Sequence, residues 1–382
     1  MSGPLVGEVD VTLVASSNRI ASQATTASAL PAGETSSGPS AKVRRPWGLF
    51  RLVRRLAGAV IVILGVVTFT FLLSRVFTAS PVNLFVPQDA SPQVRAQVRQ
   101  QLGLSEPIYV QYFHFLSGII HGNIGISYIT GRPVASDLLS RAPATIELAV
   151  YALIIGIVAG ITAGVLAAVN RGRIVDHIIR LVTVGATSTP QFWVGLMLIW
   201  VFFVVLHIAP GPTGRLPIGV TPPHTITGFY VVDSALEGQW HLMFEAMRQL
   251  ALPVITLSVS VFAPVARTTR SAMVHSLDAE YVRTAVAMGV GRRRIWFRYA
   301  LKNGLLSVLT ILAGVIGWLF CGSVLAEGIF GWPGVGNYAL TAIQNSDYPA
   351  VQGFVIYAAI LYVIILALLE FAYTVVDPRV RR

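Results

Sequence analysis

Six apolar stretches constrain this chain more than any other feature. They lie at about residues 54–74, 145–168, 185–207, 249–266, 304–326 and 352–374. Each is near the roughly 20 residues that cross a hydrocarbon core. Lipid offers no partner to a free amide, so each stretch must be helical. Composition agrees: of 382 residues, 54% are hydrophobic and only 12% are charged, about half the share usual in soluble domains. A wholly soluble protein is excluded. The expected fold class is an all-α polytopic membrane protein with six transmembrane helices. Pro190 interrupts the third stretch, while Pro253 and Pro264 bracket the fourth.

The basic residues alternate in density along the chain. Twenty Lys and Arg fall in segments 42–55, 169–180, 267–302 and 375–382, against seven in 75–144, 208–248 and 327–351. Cytoplasmic loops carry the excess of Lys and Arg, so both termini are expected in the cytoplasm. The net charge of +11 is then a topology signal and does not point to nucleic acid. One cysteine, Cys321, excludes a disulfide framework and a cysteine metal cluster. The two lysines, Lys42 and Lys302, follow no Gly-rich phosphate loop, so any ATP-derived energy comes from another chain. The seven histidines are scattered and form no H-E-x-x-H, and no nucleophile elbow is present. The chain is expected to be no enzyme and to bind no metal.

Residues 1–45 form a leader whose first 41 positions are rich in Ser, Ala, Thr and Gly, a composition expected to stay disordered. Glu8, Asp10 and Arg19 make it a poor signal peptide. The long segment 75–144 faces outward, with a short amphipathic helix in 91–104 and a helical stretch around Asp137 and Ser140 that Pro143 interrupts. With the turn-rich 208–248 it makes an external cap. Glu147 and Glu327 fall at outer span ends and read as solvated. In the second span Gly156, Gly160 and Gly164 recur every fourth residue, a small stripe that lets another helix approach closely. Past the fifth span, Trp332, Pro333, Gly334 and Gly336 form an irregular turn. At membrane depth such a turn is tolerated only against protein or a water-filled path, so it is expected at the outer gate.

Segment 267–302 is basic but not low in complexity. Ser276 or Asp278 can cap a helix beginning near Ala279, and Tyr281, Val282, Ala285 and Met288 share a face. Gly289 and Gly291 break it, and Arg292 opens a second helix with Ile295, Trp296, Tyr299 and Ala300. Two short helices at a glycine corner, with an apolar face in the cytosol, call for a partner protein.

EYVRTAVAMGVGRRRIWFRYALKNGLL (280–306) resembles the cytoplasmic EAA loop of ABC-importer permeases, and more narrowly the dipeptide/oligopeptide (peptide/nickel) branch. So do GNIGISYITGRPVASDLLSRAPATIELA (122–149), STPQFWVGL (188–196), AEGIFGWPGVGNYAL (326–340), NSDYPAVQG (345–353) and VDPRVR (376–381). Arg283, Tyr299 and Lys302 depart from the general loop pattern. The resemblance implies the type I importer permease fold in a prokaryotic plasma membrane. It divides the chain into a leader (1–45), a first helix with external cap (46–140), a permease core (141–376) and a tail (377–382). It implies a second permease subunit, usually a paralogue, two cytoplasmic ABC ATPases holding ATP and Mg, and an external solute-binding protein, with no cofactor on this chain. Carried onto the loop, it assigns ATPase coupling to Glu280, Tyr281, Arg283, Thr284, Ala285, Met288, Gly289, Arg292 and Ile295. The alternative, a stand-alone secondary transporter, needs midplane coupling-ion residues and usually an internal repeat; neither is evident.

Overall fold

The computed structural model describes residues 47–72, 86, 91–101 and 105–376. The expected leader 1–45 and tail 377–382 lie outside the described residues. The described residues 47–53 belong to one unit. Arg54 onward forms another, which holds the packed core. The described residues are helical, with one isolated bridge between Ile126 and Pro133. The helices are α1 (Trp47–Leu72), α2 (Pro92–Gln101), α3 (Ile108–Ile120), α4 (Val134–Val169), α5 (Ile174–Ser188) and α6 (Gln191–Leu198), which runs on as a π-helical segment Ile199–Val205. Then come α7 (Tyr230–Leu236), α8 (Trp240–Asp278), α9 (Glu280–Ala287), α10 (Arg292–Arg294) with a π-helical segment Ile295–Leu301, α11 (Lys302–Ile329), α12 (Val335–Gln344) and α13 (Tyr348–Val376).

Four helical runs are long and apolar enough to cross a membrane: α4, α8, Arg292–Phe320 and Tyr348–Leu369. A fifth candidate is α5 with α6 and its π segment, bent by 105° at the break. Among the described residues of α1, Val60–Leu72 is a shorter apolar run. The expected third span therefore moves. Its first residues belong to α5, and the chain turns at Thr189–Pro190, where proline has no amide to continue a helix. α5 is inside-out: Asp176 and Thr183 are buried, while Ile174, Ile178, Leu181 and Val184 are exposed. Apolar side chains turned outward suit a lipid or protein neighbour, not water.

Prolines break less than expected elsewhere. α4 runs unbroken through Pro143, and α8 runs unbroken through Pro253 and Pro264, so residues 267–278 continue the helix and are not loop. An interior proline costs about 3 kcal/mol. Packing on both sides of each proline offsets that. Val134, Leu138 and Ala142 ahead of Pro143 sit in a cluster with Val335, Tyr338 and Ala350.

The core is α4 laid along α8. Leu148, Ala152, Gly156, Gly160 and Gly164 are buried along one edge of α4. A methyl group on Gly156, Gly160 or Gly164 would overlap Val261, Val265 or Thr269 in turn. Both partners advance by four residues, so the helices run parallel with i+4 ridges interlocked. Behind this seam Leu250, Val254, Leu257, Val261 and Val265 of α8 meet Val308, Leu312, Ile316 and Leu319 of α11. Lipid is as apolar as leucine, so close packing, not escape from solvent, holds such a seam.

Candidate functional site

The corner after α8 is built from the backbone outward. Ala279 is extended (φ −73°, ψ 150°) and separates α8 from α9. Neither Ser276 nor Asp278 caps α9: no side chain does, because Asp278 stays in α8 and turns its carboxylate to Arg171 at 3.0 Å. Glu280 sits in the first turn, where a carboxylate faces the free amides favourably. At the far end Gly289 has φ +77°; its amide donates to the Val286 carbonyl (2.9 Å) and the Val290 amide to the Ala285 carbonyl (3.1 Å). These paired bonds around a left-handed glycine are a Schellman stop. Gly291 is extended, and its carbonyl accepts from the Arg294 and Ile295 amides, opening the second arm.

The sequence-predicted residues divide between inside and outside. Val282, Ala285 and Ile295 are buried at 4%, 1% and 4% exposure, so they tie the corner to its own chain. Glu280, Tyr281, Arg283, Thr284, Met288, Gly289 and Arg292 face outward. Val286 and Phe297, which sequence reasoning misses, are also exposed. The outer face is thus apolar side chains set among arginines. Two further anchors leave no local signal because their partners are distant in sequence. Asn303 Nδ2 donates to the Tyr281 hydroxyl at 3.0 Å. Arg270 donates through Nε (2.6 Å) and Nη2 (2.8 Å) to the buried Asp176, fastening the end of α8 to the start of α5. Such a planar fork fixes direction as well as distance.

The opposite end carries the expected gate turn. Trp332 is 1% exposed, and its Nε1 donates to the Ala144 carbonyl at 2.9 Å. Gly334 and Gly336 are buried against the Glu327 carboxylate, and Pro333 is exposed. Glu327 accepts from the Thr145 hydroxyl (2.8 Å) and the Asn337 amide (2.9 Å), while the Thr145 oxygen accepts from the Val335 amide (2.8 Å). The turn therefore folds back onto α4. Solvation of Glu147 and Glu327 does not hold: both are fully buried. Glu147 accepts from Arg215 Nη2 (2.5 Å) and the Val231 amide (3.1 Å), and the guanidinium lies 3.4 Å from the Tyr230 ring centroid. Asp347, also buried, accepts from Ser127 Oγ at 2.5 Å. Beside them, burial pushes the Asp233 carboxyl up, but the Thr227 hydroxyl and the amides of Thr227, Gly228 and Ile226 outweigh it and hold the carboxyl below its ordinary range.

Nothing in either site arranges a nucleophile with a base, and no group of three or more His, Cys, Asp or Glu among the described residues could hold a metal. The geometry sets a corner with an exposed apolar and basic face at one end of the α4–α8 seam and a polar-locked cap at the other.

Comparison with known proteins places the chain in a family. The model of the binding-protein-dependent transport system inner membrane component matches residues 160–382, and the N-terminal model of the same kind of membrane component matches 49–149. The chain is 41% identical over 336 residues to the probable D,D-dipeptide transport system permease protein DdpB of Escherichia coli K12, covering 88% of this chain and 98% of that protein. It is 36% identical over 333 residues to the dipeptide transport system permease protein DppB of the same strain, covering 86% and 98%. It is 37% identical over 333 residues to the di/tripeptide transport system permease protein DppB of Pseudomonas aeruginosa UCBPP-PA14, with the same coverage. The chain belongs to the family of inner membrane components of binding-protein-dependent transport systems.

Proposed function

We propose that this chain is one of two permease subunits of an ATP-driven importer of small peptides, with six spans and both termini in the cytoplasm. A second permease, two ATPases and an external binding protein complete the complex, and this chain binds no cofactor of its own. The observation that carries the reading is the corner at Gly289: exposed Tyr281, Val286 and Met288 among arginines, on a basic segment outside the apolar runs. An apolar face in water favours a protein partner. The substrate class rests on the dipeptide and di/tripeptide names of the relatives. Closure of the ATPases would move this corner, and through the α8 seam the cap. Such coupling requires that ATP and substrate each favour one of two states.

ATP-dependent uptake of radiolabelled alanyl-alanine by proteoliposomes holding the complete transporter and its binding protein tests the proposal. Uptake is expected only with ATP inside and binding protein outside. Uptake without the ATPases would point to a stand-alone transporter instead.

A further inference from the structure

The 105° break between α5 and α6 opens a cavity of about 500 Å³. Thr187, Ser188, Thr189 and Gln191 line it from the break, and Ser260 and Arg267 line it from α8. Two of these groups have no partner. Arg267 makes no ion pair or hydrogen bond among the described residues, unlike Arg270 on the next turn, held by Asp176. Gln191 Nε2 is buried and donates to nothing. The Gln191 amide is wedged against Gly322, where a methyl group would overlap it.

The arginine sits at a defined level of the α4–α8 seam. Arg267 lies between Val265 and Thr269, which face Gly160 and Gly164 of α4. Val169 ends α4, so Arg267 is roughly 10 Å inside that end at 1.5 Å per residue. A cation with no counter-ion at the wall of a cavity is free to take an anionic ligand. No acidic side chain lines the cavity, so nothing there would hold an ammonium group. A guanidinium fork beside hydroxyls suits a carboxylate.

We propose that this cavity is a carboxylate subsite on the translocation path, where Arg267 takes the carboxylate of the passing peptide. The inference rests on the peptide-importer reading above. Because Arg267 is exposed, the contact is weak enough to release its ligand, as a path requires.

The test uses the complete transporter in proteoliposomes with its binding protein. Alanyl-alanine uptake should fall about tenfold or more in Arg267→Gln, the loss of one charge-assisted contact. Arg267→Lys should keep an intermediate rate, since it restores charge without the fork. A photoreactive benzoylphenylalanine at Ser260 should capture labelled alanyl-alanine in the otherwise wild-type complex and not beside Arg267→Gln. Wild-type uptake in Arg267→Gln overturns the subsite. So does loss of the second permease from purified Arg267→Gln complexes, which would assign Arg267 to the subunit interface. If the wild-type transporter moves no alanyl-alanine, the peptide reading itself fails, and the subsite falls with it.

Discussion

Gly289 carries its conformation through the backbone alone. Its φ is +77°, and a methyl group there would meet open space. Replacement therefore costs only backbone strain, about 1–3 kcal/mol, and changes the corner without disturbing the seam. Gly289→Val is expected to lower peptide uptake and substrate-stimulated ATP hydrolysis while the membrane level stays near wild type. Met288, 71% exposed, tests the face itself. Met288→Glu should weaken co-purification of the ATPase, and the basic-surface control Arg293→Gln should do much less. Ala285 behaves differently because it is buried at 1%. Ala285→Glu places a charge in the corner's interior and should reduce the amount of folded protein, which immunoblotting separates from a coupling defect. The same logic applies at the cap. Arg215→Leu leaves Glu147 buried without its counter-ion, a loss of about 3–5 kcal/mol. A lower denaturation temperature in detergent checks this, and Glu147→Leu with Arg215→Leu should recover most of it.

Elements are legible where their signal is local. The stripe of Gly156, Gly160 and Gly164 announces a close helix contact, and α8 is the helix that fills it. The turn at Pro190 and the Gly289 corner are both readable from residue type, since proline and glycine act on their own backbone. What the sequence hides depends on partners far along the chain. Glu147 reads as solvated because Arg215 stands 68 residues away. Glu327 reads as solvated because its acceptor bonds come from Thr145, 182 residues away. Pro143 reads as a break, and Pro253 and Pro264 read as the limits of a span, because their cost is local while the packing that offsets it is not. Ala285 reads as a docking residue because helical spacing gives a face without saying what covers it. At this scale Gly160→Leu is the decisive change. It drives a side chain into Val265 and the Phe262 carbonyl, and overpacking costs typically about 1–3 kcal/mol. α4 and α8 should separate, seen as faster proteolysis and a lower yield of folded permease, whereas Gly65→Leu on α1, with open space around it, should leave both unchanged.

For the whole molecule, α1 decides the number of crossings. From the cap, α4 runs to the corner end, the α5–α6 pair returns, α8 runs down, α11 returns and α13 runs down again. Five crossings place the chain before α4 and the end of α13 on opposite sides. The leader joins the tail on one side only if α1 also crosses. Over Trp47–Leu72 α1 is about 39 Å long at 1.5 Å per residue, enough for a core of about 30 Å. The cluster Lys42, Arg44, Arg45, Arg51, Arg54 and Arg55 argues for crossing, because basic residues hold the start of a span in the cytoplasm. After Cys321 is replaced, single cysteines at Lys42, His114, Met288 and Arg381 resolve the matter in intact cells. A membrane-impermeant maleimide should label only the position at His114, whose side chain is 74% exposed. The other three should react only after permeabilisation. Labelling at Lys42 from outside would leave five crossings and put the leader with the cap. Labelling at Met288 from outside would invert the permease and remove the corner from the ATPases it is proposed to meet.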